Sequence, residues 1–140
     1  MPLKKKSSIS HPQNVNLLFG IVTDLKDYKL AFLLNNILNI EMERKEYEYS
    51  EETYQEKVIF YFSADMNFEY YLFKNIFKPD FFTRKFKNIN FFLLAKPHLP
   101  VQKDTGIINQ LTKHEKIVAC LQIPDEKTIL EAIKLLRITD

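Results

Sequence analysis

Two periods of hydrophobicity run along this chain and divide it into strands and helices. Residues 15–22 form a short, largely apolar and partly β-branched run around Gly20, the pattern of a buried strand. From residue 25 to 39 the period lengthens. Leu25, Tyr28, Ala31, Phe32, Leu34, Ile37 and Leu38 recur at three- and four-residue spacing, with Lys26, Lys29 and Asn36 on a narrow opposite stripe. This predicts a helix covered on most sides, with Leu30 and Leu33 widening its apolar face. Tyr28, Phe32 and Leu38 are expected to pack against a sheet. Asp24 is expected to cap the helix, and Asp27 to lie in its first turn.

Period-two segments follow. Residues 40–49 carry Ile40 and Met42 on one parity and Tyr47 and Tyr49 on the other, which predicts a bulge near residues 44–46. Residues 57–64 set Val58, Phe60 and Phe62 against Ile59 and Tyr61. Residues 68–76 set Phe68, Tyr70 and Leu72 against Tyr71 and Phe73. Asp65-Met-Asn67 is a turn between them. The three segments predict an antiparallel meander. Residues 77–88 have no clean period and read as a structured loop. Residues 89–95 are nearly all apolar, as in a central strand, and Pro97 and Pro100 end it. Asp104 or Thr105 is placed to cap a short helix that ends at Thr112. Residues 117–123 form a further strand, and Pro124-Asp125 opens a last helix. The order β-α-β-β-β-β-α-β-α predicts an α+β fold. It is expected to be two-layered, with a mostly antiparallel sheet of about six strands and helices on one face. Residues 1–13 read as a flexible basic tail and residues 14–140 as a single domain.

Composition narrows the class. A chain of 140 residues, 46% hydrophobic and 27% charged, folds without disulfides. Its one cysteine, Cys120, lies in an apolar run and reads as a small core residue. Lys4, Lys5 and Lys6 are followed by Ser and Pro rather than an apolar segment, and no run approaches the roughly 20 residues of a membrane span. The expected compartment is the cytoplasm, with no membrane contact. The net charge of +2 is unevenly spread, with acids concentrated in residues 41–56 and bases in residues 74–103.

Candidate chemistry is sparse. His11, His98 and His114 are far apart and lack a second ligand at metal spacing, and Gly20 and Gly106 cannot make a phosphate loop. No metal, no cofactor and no catalytic residue is expected, and the chain reads as a non-enzymatic interaction or adaptor module. The candidate surface is the aromatic-basic segment Phe77, Lys78, Phe81, Phe82, Arg84, Lys85, Phe86 and Lys87, because aromatics beside arginine are typical of interface hot spots. Its expected partner is another protein or a second copy of the chain. The alternative is single-stranded RNA stacked on Phe60, Phe62, Phe68 and Tyr70, with Lys57 and Lys74 nearby.

The run Leu25-Lys-Asp-Tyr-Lys-Leu-Ala-Phe-Leu-Leu-Asn-Asn36 resembles the small bacterial family named for the motif Ile-Pro-Glu-x-x-x-Val-Asp-Tyr. Its members open with a strand and an Asp-Tyr-containing helix that ends in an Asn-bearing turn. Ile89-Asn90-Phe91 is similar to the Val-Asp-Tyr half of the motif, and Thr83-Arg84-Lys85 stands at the place of the other half. The resemblance implies a cytoplasmic bacterial protein and assigns no activity.

Overall fold

The structure, a computed structural model, describes residues 15–51, 54–76, 82–99 and 106–138. The expected basic tail and the cap at Asp104 or Thr105 lie outside these residues. Six strands form one antiparallel sheet: β1 (Leu17–Thr23), β2 (Glu43–Glu51), β3 (Tyr54–Ala64), β4 (Phe68–Lys74), β5 (Phe91–Pro97) and β6 (Ile117–Ile123). Helix α1 (Asp27–Leu38) follows β1, α2 (Ile107–Thr112) precedes β6, and α3 (Glu126–Leu135) follows it. The α+β class and the element order are those expected. The strands lie in the order β2-β3-β4-β5-β1-β6, so α1 carries the chain from a central strand to one edge of the sheet.

The expected two-layer arrangement is corrected. Helices cover both faces. On the first face Leu30, Ala31 and Leu34 of α1 and Ile107 and Leu111 of α2 join Phe19, Ile21, Leu72, Phe91 and Leu93. On the second, Ala132 and Leu136 join Leu18, Phe73, Phe92 and Leu94, with Ile129 and Ile133 of α3 packed against them. The cause lies in β1 and β5. Both are buried at consecutive positions, and strands that are apolar on both sides need a layer on each.

The expected bulge in the second strand is also corrected. β2 pairs with β3 in unbroken register from Glu43↔Phe62 to Glu51↔Tyr54. Ile40 and Met42 precede the strand, which explains their different parity. The chain turns there through Asn39, whose left-handed φ of 59° closes α1, and Asn35 Oδ1 accepts the Met42 N–H at 2.9 Å. The register shift lies instead between β1 and β6, at Val22/Thr23. Pro97 is the last residue of β5, opposite Phe68, rather than beyond the strand. Asp24 is exposed and caps nothing. The residue before the helix is Lys26, and Asp27 Oδ1 accepts the Tyr28 N–H at 2.7 Å.

One buried amide organises the chain between β4 and β5. Asn75 is 2% exposed. Its Nδ2 donates to the carbonyls of Phe86 (3.0 Å), Ile89 (3.1 Å) and Thr83 (3.4 Å), and its Oδ1 accepts the Thr83 N–H at 2.9 Å. These contacts fold residues 83–89 back under the second face. There Ile89 fills the space left by Gly20, where an added Cβ would lie 2.4 Å from Ile89 Cδ1. The same stretch anchors β1, since Asn90 donates its N–H to Ile21 and accepts the Thr23 N–H on Oδ1 at 2.8 Å.

Removing the Asn75 amide strands buried backbone groups that water cannot reach, at about 1–3 kcal/mol for each group left without a partner. Asn75→Ala is therefore expected to cost roughly 3 kcal/mol or more in a urea melt. The exposed Asn88→Ala, in the same segment, should stay within about 0.5 kcal/mol of wild type. Equal losses would mean that Asn75 does not hold the segment.

Candidate functional site

Helix α1 has more large apolar side chains than one face can bury. The row through Leu30, Ala31 and Leu34 docks on the sheet, with Leu33, Ile37 and Leu38 half-buried at its flanks. Leu38 thus packs as expected, but Tyr28 and Phe32 do not. They are 56% and 67% exposed. Their four-residue spacing puts them one above the other on the outer side, in line with Asn36.

These two rings wall a shallow groove of about 580 Å³. Leu25 and Leu33, half-buried, form its apolar floor, and Lys29, Asn36 and Lys116 supply its polar groups. No described lining residue is acidic. Lys116 belongs to the chain just before β6 and is held beside α1 by Thr23. The Thr23 hydroxyl donates to the Lys116 carbonyl at 2.7 Å and accepts the Leu25 N–H at 3.2 Å. One buried side chain at the end of β1 thereby fixes both the start of α1 and the backbone of Lys116 opposite it.

The segment singled out in the sequence is arranged differently. Phe77, Lys78 and Phe81 lie outside the described residues. Phe82 is half-buried and meets Phe73 and Phe92 edge-on, with centroids 5.2 and 5.6 Å apart. Phe86 packs against the same cluster. Arg84, Lys85 and Lys87 point to the exterior, and Lys85 pairs with Asp125 at 3.3 Å. The Asp125 carboxyl is held below its usual range by a hydrogen bond from the Thr128 hydroxyl and by Lys85. The two described aromatics of this segment therefore belong to the second-face core, and its basic groups remain outside.

The four rings considered for base stacking do not share a face. Phe60 and Phe62 lie on the second face against Tyr71, at 6.1 and 5.1 Å, whereas Tyr70 belongs to the first and Phe68 packs beside it at 5.4 Å. A single stacking platform from these four is thus corrected. Along β2 the charge excess is offset locally. Arg44 pairs with Glu46 (2.8 Å), Lys45 with Glu43 (3.3 Å) and Lys57 with Glu46 (3.6 Å). A hydrogen bond from Arg44 holds the Glu46 carboxyl below its ordinary value.

Among the described residues no group of three His, Cys, Asp or Glu side chains could hold a metal ion. Cys120 is buried on the first face, and desolvation pushes its thiol up to about 11, so little of the nucleophilic thiolate forms near neutral pH. The chain matches no protein-family model and no curated protein sequence.

The sequence held one signal for this groove. Tyr28, Phe32 and Asn36 form an i, i+4, i+8 row that ends in a polar residue, whereas Leu30, Leu34 and Leu38 form a wholly apolar one. Substitution separates the two rows. Phe32→Ala should change stability by less than about 0.5 kcal/mol, as for other exposed sites. Leu34→Ala should cost roughly 2–5 kcal/mol, the range for emptying a core leucine site. Urea melts of the two variants measure the difference, and a large loss for Phe32→Ala would put its ring in the core.

Proposed function

We propose that this protein is a non-enzymatic interaction module whose α1 groove binds an apolar protein segment carrying carboxylates. The observation that carries this reading is the exposure of Tyr28 and Phe32 above a leucine floor. Two ordered aromatics in water at one spot are the usual anchor of a protein contact. Lys29 and Lys116 favour an acidic partner, and a helix laid beside α1 would present anchors at i and i+4 to the two rings. The basic side chains Arg84, Lys85 and Lys87 are a secondary surface in this reading, because Phe82 and Phe86 already serve the core.

The proposed compartment is the cytoplasm, supported by the solitary, protonated Cys120. No described helix is long and apolar enough to cross a membrane. Membership of the Ile-Pro-Glu-x-x-x-Val-Asp-Tyr family is likewise proposed. It rests on the Asp27-Tyr28 helix that ends at the left-handed Asn39, and on Ile89-Asn90-Phe91. In this chain Asn90 has a structural task, holding Ile21 and Thr23 of β1.

The test is selection from a random helical-peptide display library on the immobilised full chain, followed by calorimetry with the enriched peptides. Enriched sequences should pair two apolar anchors with Asp or Glu. Phe32→Ala and Tyr28→Ala should each weaken binding at least about tenfold, the scale of a hot-spot aromatic. Lys116→Glu should weaken it and flatten its loss with salt. Peptides that bind Phe32→Ala as well as wild type would overturn the reading. So would salt-sensitive retention of single-stranded poly(U) in the absence of any peptide binding.

A further inference from the structure

The sheet ends in two outer strands of opposite character. β2 presents Glu43, Arg44, Lys45, Glu46 and Glu48, all exposed and several ion-paired, which is how natural sheets keep an edge from pairing with another chain. β6 has no such protection. From Ile117 to Ile123 it contains no charged residue, and Val118 and Leu121 are 68% and 41% exposed. Among the described residues β1 is its sole ladder neighbour, so its outer row of N–H and C=O groups faces outward. The shift at Val22/Thr23 disturbs only the start of β6. Residues 119–123 run in regular register with β1 and leave a regular outer edge of five residues.

We propose that two copies of the chain pair antiparallel along β6, about a two-fold axis beside Cys120 and Leu121, to form one continuous sheet. This goes beyond the groove reading and shares only Lys116 with it. Three features select a second copy as the occupant. An antiparallel edge is self-complementary about a two-fold axis: each outward N–H of one copy meets a C=O of the other, and the assembly closes. The ends of β6 also carry opposite charge. Lys113, Glu115 and Lys116 precede it with a net positive charge, while Asp125, Glu126 and Lys127 follow with a net negative one. Antiparallel pairing sets each end beside its opposite. Finally, the alternative contact of β6 with β2 is disfavoured. It would desolvate the Arg44–Glu46 and Lys45–Glu43 pairs and leave an open-ended polymer. In the closed pair Leu121, which lies opposite Gly20 of β1, would meet its symmetry mate or the adjacent Ala119 across the axis.

Sedimentation equilibrium of the full chain over a wide micromolar range tests this. The expected species has twice the monomer mass and grows no further. Leu121→Lys and Val118→Lys each enter the interface twice and should shift dissociation toward monomer by at least about tenfold, with circular dichroism unchanged. Phe32→Glu, in the α1 groove, should dimerise like wild type and so separates this proposal from that of the groove. Amide exchange on the unmodified chain gives a readout that no substitution disturbs, since residues 117–123 should slow as concentration rises while β2 does not. A monomer at every concentration, a dimer that survives both lysine substitutions, an assembly that keeps growing, or loss of the dimer in Phe32→Glu would each overturn the proposal.

Discussion

The central strands β1 and β5 bury side chains on both sides of the sheet, and this two-sided burial governs where everything else lies. Leu17, Phe19 and Ile21 point to one face while Leu18 points to the other, and Phe91, Leu93 and Ala95 alternate likewise with Phe92 and Leu94. No single layer of helices can keep both sets from water. The chain meets the requirement with α1 and α2 on one face and α3 on the other. Beside α3 it adds the Phe82 and Phe86 rings, carried by the segment between β4 and β5. Asn75 holds residues 83–89 of that segment by satisfying four backbone groups from one buried amide. Gly20 gives Ile89 its seat, and Asn90 ties the end of the loop to β1.

The binding reading follows from the same constraint. Because α1 must span the first face from β1 toward β2, the row of Leu30, Ala31 and Leu34 occupies the sheet side and leaves Tyr28 and Phe32 outside. Thr23 then brings Lys116 to the same place. The groove is thus a product of how the helix is hung on β1 rather than an addition to the fold. At the margin of the sheet the constraint relaxes. β2 is charged and self-paired, whereas β6 is uncharged and half open, and the two edges differ in what they can meet.

Most of the strands were legible from alternation alone. Phe60 and Phe62 against Tyr61, and Tyr70 and Leu72 against Tyr71 and Phe73, fall on the faces that parity assigns. The side of the sheet taken by α3 was not legible as a pattern, although the consecutive apolar residues of β1 and β5 implied a second layer. The orientation of α1 was hidden for a different reason. Apolar residues surround most of its circumference, so periodicity identifies a helix without selecting its buried row. Only the polar end of the Tyr28–Phe32–Asn36 row marks it as the outer one. The apparent bulge in β2 arose from counting Ile40 and Met42 as strand, when Asn39 had already turned the chain. Asn75 could not be found by pattern at all, since a buried asparagine is recognised only by the carbonyls around it.

Helix α1 docks through Leu30, Ala31 and Leu34 and holds Tyr28 and Phe32 in solvent. Hydroxyl-radical footprinting with residue-level mass spectrometry reads this directly on the unmodified chain. Tyr28 and Phe32 should oxidise at rates near those of the unfolded protein, while Phe19, Phe91 and Phe92 are strongly protected. Protection of Phe32 equal to that of Phe92 in the free protein would mean that the helix is rotated on the sheet, and would remove the groove on which the functional reading stands.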